Sequence, residues 1–229
     1  MAAGTGQDPT DEYGIPIIPD PADAASRKRR AIIDAALAEF LAEGYSAASM
    51  DAITAKSGVS KATIYKHFGS KERLFLAVVG GLLPRTYADL APAGATIAAA
   101  PDVRTGLVRH ASELARILLR PEIMSLRRLV IGEIDRFPQL GQLWYRVTYD
   151  MNNGPLIEAL TELTATGALH VPDPELAVQQ LVAATVGIPQ LVQTFAPATE
   201  PDATALTTTI ESGVDLFLAR YAAVAGGGK

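Results

Sequence analysis

Between Gly44 and Ser70 the chain is punctuated so densely that only short helices fit between the marks. Ser49 stands where a helix begins and Gly58 where it ends; Ser60 and Gly69 bracket a second, and Ser70 opens a third. A serine hydroxyl accepts the otherwise unpaired N–H groups of a first turn, and glycine stops a helix because it takes a left-handed conformation without steric cost. Met50 and Ile53 face inward on the first of these helices, and Ile64 and Phe68, four apart, share one face of the second, which spans residues 61–68. Lys61, Thr63, Lys66 and His67 stay on its polar side. Upstream, Ile33, Leu37, Phe40 and Leu41 repeat at helical spacing from about Ser26 until Gly44 supplies a left-handed stop. Downstream, Phe75, Val78, Val79 and Leu82 form a buried stripe that Pro84 closes. Four short helices are therefore predicted within 26–83.

Beyond a loose stretch rich in Ala, Pro and Gly over 84–101, the pattern returns to long helical segments without strand alternation. Helices are predicted at about 102–119, 122–136, 138–166, 173–196 and 203–223, with breaks at Pro121, Pro138 and Pro172 and kinks at Pro155 and Pro189. The fold class is all-α, with about nine helices: an N-terminal three-helix domain and a larger C-terminal helical domain. Residues 1–25, with Pro9, Pro16, Pro19 and Pro21 and little apolar periodicity, read as a disordered acidic tail, because they bury too little surface to offset the entropy of ordering.

The net charge of −5 argues against a nucleic-acid partner until its distribution is read. Residues 1–25 carry five acids and no base, residues 26–85 ten bases and five acids, and residues 86–229 ten bases and fifteen acids. The basic residues form one block, on the region of the short helices, and point to a local polyanion-binding surface. Leu181 to Ile188 and Ala77 to Leu83 fall short of the roughly 18 apolar residues of a membrane span, so no membrane partner is expected. The opening residues lack the basic and apolar stretches of an export signal, and a cytoplasmic location is expected. Without cysteine there is no disulfide framework, thiolate metal site or Cys nucleophile.

Two helices joined by a tight Gly turn, the second short and polar outside, describe a helix-turn-helix at residues 49–67, whose second helix enters the major groove. Helix N-termini favour phosphates, and Ser49, Ser60 and Ser70 mark three of them, with Lys71 adding full charge at the last. Lys61 and Thr63 lie near the end that reads bases; Tyr65, Lys66 and His67 suit phosphates or sugars. Arg27, Lys28, Arg29 and Arg30 precede the first helix, where they serve either as a grip on flanking DNA backbone or as a solubilising junction.

Three stretches together resemble the tetracycline-repressor (TetR-type) regulators: Ala31-Ile-Ile-Asp-Ala-Ala-Leu-Ala-Glu-Phe, Gly44-Tyr-Ser-Ala-Ala-Ser-Met-Asp-Ala-Ile, and Gly58-Val-Ser-Lys-Ala-Thr-Ile-Tyr-Lys-His-Phe-Gly-Ser-Lys-Glu-Arg-Leu-Phe. The resemblance covers residues 26–80. It implies a dimeric repressor, a three-helix DNA-binding domain and a fourth helix leading to a ligand-binding domain. It matches Ser49, Tyr65, His67 and Lys71 to phosphate contacts, and Lys61, Ala62 and Thr63 to the base-reading segment. The stretches around Leu126-Arg-Arg-Leu-Val-Ile-Gly-Glu and Arg136-Phe-Pro-Gln-Leu also resemble the AefR-like branch. The expected division is a tail at 1–25, a DNA-binding domain at 26–75 and a ligand-binding and dimerisation domain at 76–225.

For the ligand pocket, Met124, Arg128, Trp144, Tyr149, Gln190 and Phe195 offer aromatic and polar groups, which suit a small apolar or aromatic effector. Core packing is the competing reading for the aromatics, and a salt bridge with Glu133 for Arg128. Leu176, Leu181, Val182 and Val186 with Leu206, Ile210, Val214, Phe217 and Leu218 supply apolar surface for a homodimer through the last two helices. His67, His110 and His170 are too scattered for a metal site; no nucleophile elbow or phosphate loop occurs, so neither enzymatic activity nor a cofactor is expected. The sequence thus reads as a ligand-responsive regulator on a palindromic double-stranded DNA operator. The alternative is a helical adaptor whose basic patch meets an acidic protein.

Overall fold

Each predicted serine cap is made. Ser49 Oγ accepts from the N–H groups of Asp51 at 3.2 Å and Ala52 at 3.4 Å, Ser60 Oγ from Thr63 at 3.2 Å, and Ser70 Oγ from Arg73 at 3.2 Å. These contacts belong to a computed structural model, which describes residue 10, residues 15 and 16, and residues 24–199 and 202–223. The described residues form α1 (Ala24–Ala47), α2 (Met50–Ser57), α3 (Lys61–Phe68), α4 (Lys71–Ala88), α5 (Ala93–Ala98), α6 (Val103–Leu118), α7 (Pro121–Glu133), α8 (Pro138–Thr148), α9 (Gly154–Ala165), α10 (Pro174–Val182), α11 (Ile188–Phe195) and α12 (Ala203–Tyr221). Among them no strand occurs, only isolated bridges between Thr10 and Pro16 and between Leu169 and Ala222. Gly44 kinks α1 near its end at φ 75° and ψ 171°, a conformation essentially restricted to glycine.

The chain divides into two compact units, Met1–Arg85 with Ser125–Tyr145, and Thr86–Met124 with Arg146–Lys229. In the first, Ile32, Phe40, Ile53, Ile64, Phe68 and Phe75 are buried, and Phe137, just before α8, joins the rings of Tyr45 and Phe75 at 4.9 and 5.4 Å. In the second, α5, α6, α9, α10 and α12 enclose Ile97, Leu107, Leu160, Val178, Val214 and Phe217. There α12 packs so closely on the segment after α10 that a Cβ on Gly213 would stand 2.7 Å from Ala184 O.

Several expectations are corrected. Pro84 does not end α4, which continues to Ala88 because Thr86 and Tyr87 are buried beyond it and the Tyr87 hydroxyl meets Thr148 Oγ1 at 3.2 Å. Packing of this kind outweighs the roughly 3 kcal/mol that an interior proline costs. The stretch expected to be loose contains α5, anchored by buried Ala93 and Ile97. The kinks expected at Pro155 and Pro189 are π-helical turns, Tyr149–Asn153 and Ala183–Gly187, which precede those prolines. Proline lacks an N–H and its ring crowds the carbonyl four residues back, and a wider turn relieves both. Most of the predicted acidic tail lies outside the described residues, but Ile15 and Pro16 are buried, and a Cβ on Gly80 would collide with Ile15 Cγ2. By length and composition Lys71–Ala98 could cross a membrane, yet half of its apolar 18-residue window is buried inside the fold, as in a core helix.

Candidate nucleic-acid interface

The helix α3 is divided by exposure as its sequence predicts. Ile64 and Phe68 are buried, whereas Lys61, Ala62, Tyr65 and Lys66 are exposed and Thr63 and His67 half-buried. Tyr65 keeps 42% of its surface exposed, although a ring of that size buries readily when a core is near. The hydroxyls of Ser60 and Thr63 lie 2.8 Å apart, which fixes the first turn of α3. Ser49, Ser60 and Ser70 each serve as caps, so their Oγ atoms are directed at helix N-termini.

What holds this pair of helices was not visible in the sequence. Glu39, buried on α1, accepts from the backbone N–H of Ser49 at 3.0 Å and from Lys56 Nζ at 2.6 Å, and so ties α1 to both ends of α2. The Lys56 ammonium and then the Ser49 N–H hold its carboxyl below the usual range. Its only signal in the sequence is its phase with Ala35, Ala36 and Phe40 on the buried side of α1. A second support surrounds Tyr45. Its ring lies 5.0 Å from Phe75, with Lys71 Nζ at 4.9 Å and Arg136 Cζ at 4.6 Å from its centroid. Burial, and then the Glu72 carboxylate, push the Tyr45 phenol up to about 12.

The cations at the interface are partly engaged. Lys61 Nζ donates to Asp51 Oδ1 at 2.7 Å, and that bond raises its pKa; both groups are exposed, so the pair is weak and open to competition by phosphate. Lys71 Nζ donates to the Ser46 carbonyl at 3.1 Å, which places the charge at the start of α4. His67 is held below its ordinary pKa by burial first, then by Arg29, Lys66 and Lys28. A neutral imidazole among three cations can take up a proton once an anion arrives. Of the basic run before this region, Arg27 and Lys28 are exposed, Arg30 pairs with Asp34 at 2.9 Å, and Arg29 is buried with its guanidinium 5.8 Å from the Phe68 ring centroid.

The residues predicted to line a ligand pocket fall in both units. Arg128 and Trp144 belong to the first unit, and Met124, Tyr149, Gln190 and Phe195 to the second. Arg128 Nη2 donates to Ser125 Oγ at 2.9 Å, and the Tyr149 hydroxyl donates to Glu175 Oε1 at 3.0 Å. Met124 is buried, Trp144 and Gln190 half-buried, and Phe195 is 77% exposed. Among the described residues no cluster of three or more metal-ligating side chains occurs.

The expected dimer residues differ in exposure: Leu176 is exposed, and Val182, Leu206 and Leu218 are half-buried. Leu181, Val186, Ile210, Val214 and Phe217 are buried within the chain. On the same two stretches Leu176, Ile188, Leu191, Val192, Phe195 and Leu216 are the exposed large apolar side chains. An open apolar groove of about 220 Å³ lies beside them, with Ile188, Val192, Ala205 and Leu206 in its walls.

Two family models match. Residues 32–78 match "Bacterial regulatory proteins, tetR family", and residues 105–223 match "AefR-like transcriptional repressor, C-terminal domain". A solved structure described as a TetR-family transcriptional regulator from Mesorhizobium loti is 33% identical, with a TM-score of 0.80, over 87% of this chain and 99% of that one. The flavonoid-responsive regulator FrrA is 30% identical, with a TM-score of 0.71, over 86% of this chain and 97% of its own. The HTH-type transcriptional regulator SrpR of Pseudomonas putida is 44% identical over 55 residues, 24% of this chain and 26% of that protein. The chain thus spans only about a quarter of the length of the first curated relatives it matches.

Proposed function

The chain belongs to the TetR family of transcriptional regulators and carries the family's DNA-binding helix-turn-helix, and from that premise we propose that it is a homodimeric repressor released from a palindromic operator by a small aromatic or apolar effector. The observation that carries this reading is the outer face of α3, where Lys61, Ala62, Tyr65 and Lys66 stand exposed on a helix fixed by Ile64 and Phe68. Lys61, Ala62 and Thr63 read bases; Ser49, Ser60, Tyr65, Lys66, His67 and Lys71 hold phosphates or sugars. Residues 26–75 act as the DNA-binding part and 76–225 as the effector and dimer part.

The dimer uses the exposed apolar faces of α11 and α12, with Ile188, Leu191, Phe195 and Leu216, since the chain itself leaves them uncovered. A two-fold dimer presents two recognition helices to one face of the duplex, hence the palindrome. An aromatic effector is supported by FrrA, a relative described as flavonoid-responsive. Its binding favours a state in which α4 is displaced and the recognition helices no longer match the groove spacing. A coupling of about 1–3 kcal/mol gives a roughly 5–150-fold change in operator affinity.

Selection of duplex DNA from a random pool by the purified protein tests this reading. A palindromic consensus is the expected result. No enrichment of any sequence would contradict it and favour an acidic protein as the partner of the basic surface.

A further inference from the structure

Gly44 bends the end of α1 at φ 75°, and the ring that follows it, Tyr45, is 3% exposed among Phe40, Phe75 and Phe137. Two cations share that ring, Lys71 Nζ at 4.9 Å and Arg136 Cζ at 4.6 Å from its centroid. Lys71 opens α4 and lies within the N-terminal family match, whereas Arg136 lies between α7 and α8, within the C-terminal one. Even so, Ser125–Tyr145 belongs to the same compact unit as Met1–Arg85. Phe137 is the reason: it is buried against Tyr45 and Phe75, so the turn that carries Arg136 is anchored beside the start of α4.

The Lys71 ammonium donates to the carbonyl of Ser46, the residue after Tyr45, so ring and carbonyl together form its seat. Its neighbour Glu72 puts a negative charge on the same first turn, where it opposes an approaching phosphate. That charge is answered locally. The backbone N–H of Glu72 and then the Ser70 side chain hold its carboxyl below the usual range, with the Tyr45 hydroxyl and Arg136 adding to the effect. Arg136 Nη2 stands 4.0 Å from Glu72 Oε1 with both side chains about half exposed, a weak pair by itself. Its contact with the ring supplies what the pair lacks, because a planar guanidinium stacks on an aromatic face while still facing a carboxylate. We propose that Arg136 is a positioning residue for DNA binding: it holds the Tyr45 ring and the Glu72 carboxylate, and through them keeps the start of α4 and the Lys71 ammonium in place for a phosphate. The inference rests on the reading of Lys71 as a phosphate contact, and it adds that a residue outside the helix-turn-helix completes that contact.

A double-mutant cycle on the full-length protein tests it, with affinity for the selected operator read by fluorescence anisotropy. Arg136→Ala should weaken binding about three- to fivefold in the wild-type background, the size of an exposed cation–π contact. In the Lys71→Ala background the loss should shrink to about 1.5-fold or less, because a residue that acts through Lys71 then has nothing to position. Should Arg136→Ala not fold, Arg136→Gln, which keeps the stem, carries the same cycle. An equal loss in both backgrounds would make Arg136 an independent phosphate contact and overturn the proposal, as would no loss in the wild-type background. Hydrogen exchange of the DNA-free protein separates the proposal from the reading beneath it. Arg136→Ala should speed exchange of the Arg73 and Leu74 amides, which bond to Ser70, by about threefold or more while α6 is unchanged. Unchanged exchange there would overturn the proposal. If Lys71→Ala costs no affinity while Arg136→Ala loosens this turn, the phosphate assignment of Lys71 falls and the hold of Arg136 on α4 stands.

Discussion

The helix-turn-helix and the helical unit around α6 treat their polar groups in opposite ways. In the first, the polar side chains that matter are paired inside the fold or held outside it: Glu39 has both its partners, three serines cap helices, and Lys61 and Tyr65 stand at the surface. In the second, His110 and Asn152 are enclosed beside each other, and burial holds the imidazole below its ordinary pKa. The contrast teaches that one region turns its polar groups outward for a partner, whereas the other encloses a titratable group inside its core. Preorganisation of the first lowers the ordering cost of binding a rigid duplex.

Substitutions that spare the fold but remove the outer face test the finished region most severely. Replacing Tyr65 and Lys71 with alanine together should weaken operator binding by about 100-fold or more, while sedimentation still finds the dimer. Retained binding would refute the assignment of these residues. Next in size, Glu39→Ala leaves the Ser49 N–H and Lys56 without their partner, so operator affinity should fall about tenfold and Tm should drop. An unchanged Tm would mean that α1 does not hold α2 through this carboxylate.

Proton linkage compares the two regions within one experiment. His67 and His110 both have folded pKa values below 6.5, so the unfolded chain binds their protons more readily. Stability is full above the unfolded value and is lost as pH falls below about 6.5. Thermal unfolding at about pH 7.5 and about pH 5.5 should show the lower Tm in acid, and His110→Leu should remove most of that difference. Operator binding should shift the His67 contribution the other way, since phosphate favours its charged form. The smallest expected effect is that of Asp51→Asn, which frees Lys61 from its exposed ion pair and should raise operator affinity by about two- to threefold. Weaker binding would show that Asp51 positions Lys61 instead of restraining it.

What could be read from the sequence follows the same division. Caps and stops are local, so Ser49, Gly58, Ser60 and Gly69 announced α2 and α3, and the all-α class followed from periodicity. Contacts between distant residues left little trace. Nothing near Ile15 signals that it packs on Gly80, because the prolines and acids around it dominate the composition. Tyr87 and Ile97 are held by tertiary burial that overrides a proline and an Ala-Gly stretch respectively. The exposed dimer candidates Ile188, Leu191 and Phe195 were missed as a set, since periodicity locates an apolar stripe without telling which neighbour covers it. His110 reads as an ordinary core or surface histidine, and the fold places it in the core beside Asn152.

The central claim is that the exposed face of α3 and its flanking caps grip DNA phosphate. Operator affinity measured across a series of salt concentrations tests it most directly, because each phosphate contact releases counterions. A steep linear fall of log affinity with log salt, made shallower by about one contact in Lys71→Ala, is the predicted result. An affinity indifferent to salt, or a slope that Lys71→Ala leaves unchanged, would contradict it.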